Sequence, residues 1–327
     1  MSPVRARLRY WRRVAAAYLL GGTSQLSFWH ETPAAHPQAV FDRLGPYYMS
    51  FAGKAGYAGP FDADGVPLLD YRGHIGRHYN PIAVAQYGLA RYNRFLAAGN
   101  PADRTAFLAQ ADWLVRTLEE NASGVPVWMH RFDFEYRSLL KAPWYSGLAQ
   151  GQGLSLLARA HLATGDARYL EAMRAAFVPL TRDVAEGGVL FRDPAGSTWI
   201  EEYIVSPPTH ILNGFIWALW GVWDCNLAGG DPRAQALFDE SVKTIGRNLA
   251  RYDTGWWSLY ELGDTKMPML ASPFYHRLHI VQLRILAAMS GVDLFSDTAR
   301  RWEAYAAGRY NRARSFAQKC LFKAFYY

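Results

Sequence analysis

Four times in 327 residues the chain runs through an apolar helical stretch, reaches a glycine, and follows it within two residues by aspartate or asparagine. The four junctions are Leu96–Pro101, Leu162–Asp166, Leu227–Pro232 and Met289–Asp293, with their glycines at 99, 165, 230 and 291. Glycine closes a helix by entering the left-handed region, and an Asx side chain caps the next helix, twice here with proline behind it. Leu154, Leu157, Ala158 and His161 before one junction, and Tyr169, Met173 and Phe177 after it, keep helical spacing. A helical hairpin repeated about every 65 residues cannot bury its own apolar faces, so the hairpins must stack on one another.

Between the hairpins lie stretches of aromatic and β-branched residues at 125–136, 188–200 and 252–260, and Asp193-Pro-Ala-Gly196 reads as a turn joining two strands. The expected architecture is mainly α: an (α/α) toroid or barrel of repeated helical hairpins, with β-hairpin excursions at the rim of the active site. The first helix of each hairpin is expected to face inward. Its start is unexpectedly polar in all four units: Tyr79-Asn-Pro, Trp144-Tyr-Ser-Gly-Leu-Ala-Gln-Gly-Gln152, Pro208-Thr-His-Ile-Leu-Asn213 and Phe274-Tyr-His-Arg-Leu-His279. Helix N-termini converging on one rim would form a cleft suited to an anion.

Charge distribution narrows the partners. The formal charge is +7, yet residues 1–13 hold five arginines and no acid, and residues 309–327 hold five bases and no acid. The stretch 14–308 is left with 25 bases against 28 acids. Attraction of an anionic substrate is therefore expected from a local arrangement such as Arg72, Arg77, Arg131, Lys141 and Arg277. The basic ends are expected to address a membrane surface or an acidic partner, the N-terminal one as an amphipathic helix that packs on the domain or rests on an anionic surface. The apolar stretch Val14–Gly22 is short and lacks a small-x-small cleavage site, and no window reaches the ~18 apolar residues of a spanning helix. A cytoplasmic protein, peripheral at a membrane at most, is the expectation. Half the residues are apolar and 19% are charged, which excludes bulk disorder.

The common catalytic signatures are absent: no Gly-x-Ser-x-Gly elbow, P-loop, GxGxxG or His-Glu-x-x-His. Cys225 and Cys320 cannot form a zinc site alone, and His276 and His279 have no acid at ligand spacing. No metal, organic cofactor or nucleic acid is expected. Tyrosines remain at the excursion-to-helix junctions: Tyr203, Tyr260 and Tyr275. A tyrosine of ordinary pKa near 10 needs positive surroundings to act as a base at neutral pH.

Tyr79–Tyr92, Trp144–Gln152, Glu201-Glu-Tyr203, Ile211-Leu-Asn-Gly-Phe215, Tyr252-Asp-Thr-Gly255 with Tyr260, and Tyr275-His-x-x-His-Ile-x-Gln-Leu283 together resemble the C-terminal domain of the D-glucuronyl C5-epimerases. Those enzymes convert glucuronate to iduronate within heparosan-type chains. The resemblance spans about residues 79–306, and residues 1–78 match loosely. It implies three regions: a basic N-terminal helix and extended aromatic segment over 1–78, a catalytic domain over 79–308, and a basic aromatic tail over 309–327. It also implies Glu202, Tyr203, Tyr260 and Tyr275 as catalytic positions. Tyr79, Asn80, Tyr145, Gln150, Gln152, Asn213, His276, Arg277 and His279 are the candidate substrate binders.

Animal members carry an arginine shortly after the Tyr260 position, where this chain has Gly263 and Lys266, and a large β-rich insertion where this chain has only 93–142. A smaller member acting on a capsular or exopolysaccharide backbone, either as a single chain or as a homodimer, is the resulting expectation. A uronate polysaccharide lyase shares the first chemical step, and a non-catalytic glycan-binding protein is the alternative of another class.

Overall fold

The computed structural model describes residue 16, residues 28–29, 31–71, 75–137 and 139–326. The expected N-terminal amphipathic helix and Arg72 lie outside the described residues. Four helical hairpins follow one another: α1 (Pro81–Ala98) with α2 (Pro101–Thr117), α3 (Gly147–Thr164) with α4 (Ala167–Phe177), α5 (Leu212–Leu227) with α6 (Ala234–Asn248), and α7 (Pro273–Ser290) with α8 (Asp293–Ala307). The basic aromatic stretch at the end is helical too, as α9 (Arg309–Tyr326). The Arg314 guanidinium lies 4.1 Å from the Trp256 ring.

Within the four hairpins, the first helix of each is inner and the second outer, the alternation of an (α/α) toroid. Every residue of α3 from Gly147 to Ala160 is buried, as is every residue of α5 from Leu212 to Val222. The outer helices bury single stripes at helical spacing, such as Phe295, Thr298, Ala299 and Trp302 on α8. Inner helices can pack this closely because glycines meet at their crossing. A Cβ on Gly151 would stand 2.2 Å from the Ala218 Cα, and one on Gly221 would stand 2.0 Å from the Gly151 carbonyl oxygen.

Three junctions close their first helix as expected, with Gly99, Gly165 and Gly291 in the left-handed region at the helix ends. Asn100 and Asp166 cap the helices that follow. The third junction differs. Its longer Gly-Gly-Asp-Pro loop places Gly229, not Gly230, at positive φ, and α6 starts only at Ala234 with Arg233 before it. At the fourth junction Val292 occupies the cap position and Asp293 is the first helical residue, where its charge still faces the helix dipole.

The excursions are short antiparallel hairpins: β1 (Leu69–Asp70) with β2 (Arg77–His78), β3 (Leu118–Glu120) with β4 (Pro126–Trp128), β5 (Phe134–Glu135) with β6 (Leu139–Leu140), and β7 (Leu190–Arg192) with β8 (Thr198–Ile200). In the last, Asp193 closes the expected turn by accepting from the Gly196 and Ser197 amides. The 252–260 stretch forms isolated bridges only, Asp253 to Ser258 and Leu259 to Leu270. There Asp253 accepts from the Gly255 amide and Thr254 from the Trp257 amide, a turn too tight for a ladder.

Tyr47, Tyr48, Met49 and Phe51 join the same core as the helices. A fully buried ion pair holds this segment: Arg159 donates to Asp224 at 2.6 Å, Tyr48 donates to the same carboxylate at 2.7 Å, and Arg159 Nε donates to the Gly45 carbonyl at 3.0 Å. Among the described residues no helix is long and apolar enough to cross a membrane.

Candidate active site

The loop after β8 carries Glu201, Glu202 and Tyr203. Glu201 is fixed from three sides. His210 binds it twice, through Nδ1 at 2.5 Å and through its backbone amide at 3.1 Å, and the Gly147 amide donates to its carbonyl at 3.0 Å. His210, itself at φ 49°, stacks on Trp199 at 4.1 Å and accepts through its carbonyl from the Tyr252 hydroxyl. With Glu201 immobilised, Glu202 lies over Gly214, in the first turn of α5. A Cβ on Gly214 would stand 2.1 Å from Glu202 Oε2.

Glu202 is only 4% exposed, and its Oε2 has no hydrogen-bond partner among the described residues. Burial pushes its pKa up to about 8; a hydrogen bond from the Tyr203 hydroxyl offsets part of this, and the Glu201 charge adds to it. A buried carboxyl titrating near neutrality with an open oxygen is the kind of group that moves protons.

Three tyrosines surround it. The Tyr260 backbone accepts from Leu212 at the start of α5, and the Ser272 side chain that caps α7 holds the Tyr275 amide. The rings of Tyr260 and Tyr275 meet edge to face with centroids 4.7 Å apart, and the Tyr260 hydroxyl donates to Tyr275. All three tyrosines have pKa values raised by burial first, and for each the Glu202 charge adds to the rise. The positive surroundings that a tyrosine base needs are not what these rings meet: burial and the Glu202 charge both raise their pKa values. Tyr275 and its neighbours are held as proton donors.

The four expected catalytic positions are thus brought together. Sequence reasoning missed their flank. Tyr136 packs its ring 4.6 Å from Tyr203 and donates its hydroxyl to Glu261, the residue after Tyr260. Arg137 forms an ion pair with the same Glu261 and lies against Gly263. The bare Gly263 was the signal available: it leaves room for a cation supplied from elsewhere.

The candidate binders divide. Gln150 has both amide ends engaged within the protein, accepting from the Trp128 amide at 3.0 Å and donating to the Ala176 carbonyl at 3.0 Å. His276, buried and stacked on Trp257 at 3.9 Å, contacts Ser258 through Nδ1 and the Trp302 carbonyl through Nε2. His279 reaches the same Ser258 and has an unpartnered Nε2. Asn80 caps α1 and donates to the Tyr71 hydroxyl, while Gln152 donates to the Tyr47 hydroxyl. Asn213 keeps an unpartnered Oδ1 one residue before Gly214. Tyr145 and Arg277 are half-buried, and Tyr79 is exposed, with its hydroxyl on Asp62. Among the described residues no three His, Cys, Asp or Glu side chains gather where they could hold a metal ion.

Inner and outer helices in alternation, with a carboxyl and tyrosines at one rim, define an (α/α) toroid with a protonic site. The fold is similar to that of the cellobiose 2-epimerase of Spirochaeta thermophila, at a TM-score of 0.51 and 14% identity, covering 93% of this chain and 86% of that one. That likeness concerns the fold alone. The chain belongs to the family described as D-glucuronyl C5-epimerase C-terminus, whose model matches residues 123–304. It is 32% identical over 219 residues to a D-glucuronyl C5-epimerase of Caenorhabditis elegans, covering 62% of this chain and 35% of that protein. It is 31% identical over 199 residues to the uncharacterised protein MJ1128 of Methanocaldococcus jannaschii, covering 60% of this chain and 63% of that one. The match thus spans about a third of the worm protein and less than two thirds of the archaeal one.

Proposed function

We propose that the protein is a polysaccharide D-glucuronyl C5-epimerase, converting D-glucuronate to L-iduronate residues in a heparosan-like or capsular polymer. The observation that carries this reading is the buried Glu202 carboxyl, with one open oxygen and a pKa of about 8, facing the Tyr260–Tyr275 pair. Inversion at C5 needs one proton removed from one face of the ring and another delivered to the opposite face.

In the glucuronate direction Glu202, ionised, takes the C5 proton and becomes a carboxylic acid. The electron pair left at C5 delocalises into the uronate carboxylate, giving an enolate-like intermediate. Tyr275 then donates its hydroxyl proton to the other face of C5; Tyr260, already hydrogen-bonded to it, replaces that proton and takes one from solvent in turn. Glu202 afterwards releases its proton to solvent. Tyr203 holds Glu202 in place by donating its one hydroxyl proton to that carboxyl. Arg137, lying against Gly263 beside Tyr260, supplies the positive charge that a uronate carboxylate needs, in place of the arginine that animal members carry after the Tyr260 position.

Proton NMR of a glucuronate polymer incubated with the protein in deuterated buffer tests the reading. Deuterium at C5 together with new iduronate signals is expected. Absence of C5 exchange on every glucuronate-containing polymer would refute it, and unsaturated uronate ends absorbing in the ultraviolet would replace it by a lyase.

A further inference from the structure

Tyr79 lines a cavity whose walls do not include Glu202. About 570 Å³ in volume, it is lined by Arg77 and His78 of β2, Tyr79, Trp113 and Arg116 of α2, and Arg131 just past β4, among others. The rings of Tyr79 and Trp113 lie 5.5 Å apart, tilted by 37°. Three guanidinium groups reach this one space. Arg77 is exposed and has no ion pair among the described residues. Arg116 faces Asp64 at 3.4 Å with both side chains more than half exposed, and Arg131 binds Glu119 with its own side chain 66% exposed. Such solvent-exposed pairs are worth at most about 1 kcal/mol, so an incoming carboxylate can exchange with them at little cost. Flat aromatic rings suit the apolar faces of a pyranose, and guanidinium forks suit its carboxylate.

The cavity is also joined to the catalytic cluster. The His78 ring lies 5.3 Å from Phe132, Phe132 lies 5.9 Å from Trp144, and Trp144 lies 5.7 Å from Tyr203. Tyr71 packs on the same Phe132 at 4.6 Å. An unbroken row of rings therefore runs from the arginines to the tyrosine beside Glu202, within the reach of a short oligosaccharide.

We propose that this cavity is a distal binding site for an acidic sugar residue of the same polymer chain whose glucuronate occupies the Glu202 site. The identity of the ligand rests on the epimerase reading, whereas the cavity, its arginines and its ring row do not.

Isothermal titration with a heparosan octasaccharide tests the proposal, with neutral maltooctaose of the same length as the control. The wild-type protein is expected to bind the acidic octasaccharide and not the neutral one. The double variant Arg77→Ala/Arg116→Ala is expected to bind it at least about tenfold more weakly, with a thermal melt like that of the wild type. Because Arg77 is exposed and lacks an ion pair, the single variant Arg77→Glu serves as a second probe, with a larger loss expected than for Arg77→Ala. Equal octasaccharide binding by wild type and double variant, or equal binding of the neutral oligosaccharide, would overturn the proposal. C5 exchange on short fragments without arginine-dependent octasaccharide binding would overturn the cavity site and leave the epimerase standing. Arginine-dependent binding with no exchange on any polymer would do the reverse.

Discussion

Replacing Glu202 by glutamine tests the electrostatics of the site without substrate. The folded protein holds the Glu202 proton up to about pH 8, whereas the unfolded chain releases it near the ordinary value of 4.5. Between those values the folded state binds more protons than the unfolded state, so the contribution of Glu202 to stability falls as pH rises. Each unit is worth about 1.4 kcal/mol, so the wild type is expected to lose about 3 kcal/mol between about pH 5 and about pH 7.5. Glutamine keeps the shape and does not titrate. The assay is urea unfolding of the wild type and Glu202→Gln at both pH values, taking the difference of differences so that other titrating groups cancel. The variant is expected to gain about 3 kcal/mol on the wild type over that range. A difference that stays flat with pH would refute the claim that burial, uncompensated by any cation, dominates at Glu202.

Three further outcomes follow from the same geometry. Since Glu202 must be ionised to take the C5 proton, kcat/KM for glucuronate polymer is expected to rise with pH up to about 8 and at about pH 6 to be about a hundredth of its plateau, as an exchange-rate profile would show. Gly214→Ala would drive a methyl group into the Glu202 carboxyl. A fall in kcat of about a hundredfold is expected, with a stability cost of about 1–3 kcal/mol, measured by exchange kinetics and by urea unfolding. Asp224→Ala leaves Arg159 charged and fully buried without its partner; destabilisation of about 3–5 kcal/mol is expected in urea unfolding.

Features set by neighbours in sequence were the most legible. The glycine and Asx residues at the hairpin junctions act within one turn of helix, so their spacing revealed the repeated unit. Only the longer Gly229-Gly230 loop and the Val292 cap departed from the pattern. Glu202, Tyr203, Tyr260 and Tyr275 were singled out by the family resemblance; what the repeat made legible is that these excursion ends come together. The polar residues of the inner helices were harder to read. Gln150 and His276 look from sequence like cleft residues, yet Gln150 bonds the Trp128 amide at the end of β4 and the Ala176 carbonyl in the last turn of α4, and His276 bonds the Trp302 carbonyl of α8. The upward shift of the tyrosine pKa values comes first from burial, which sequence does not display. Arg137 meets Gly263 only through the fold, and no local pattern joins them.

The central claim is that two groups act on opposite faces of C5. Tyr275→Phe separates them most directly when deuterium incorporation and iduronate formation are followed together by NMR in deuterated buffer. This variant is expected still to place deuterium at C5 of glucuronate through Glu202 while iduronate formation falls by about 10²–10⁴. Iduronate formed at the wild-type rate by Tyr275→Phe would contradict the claim.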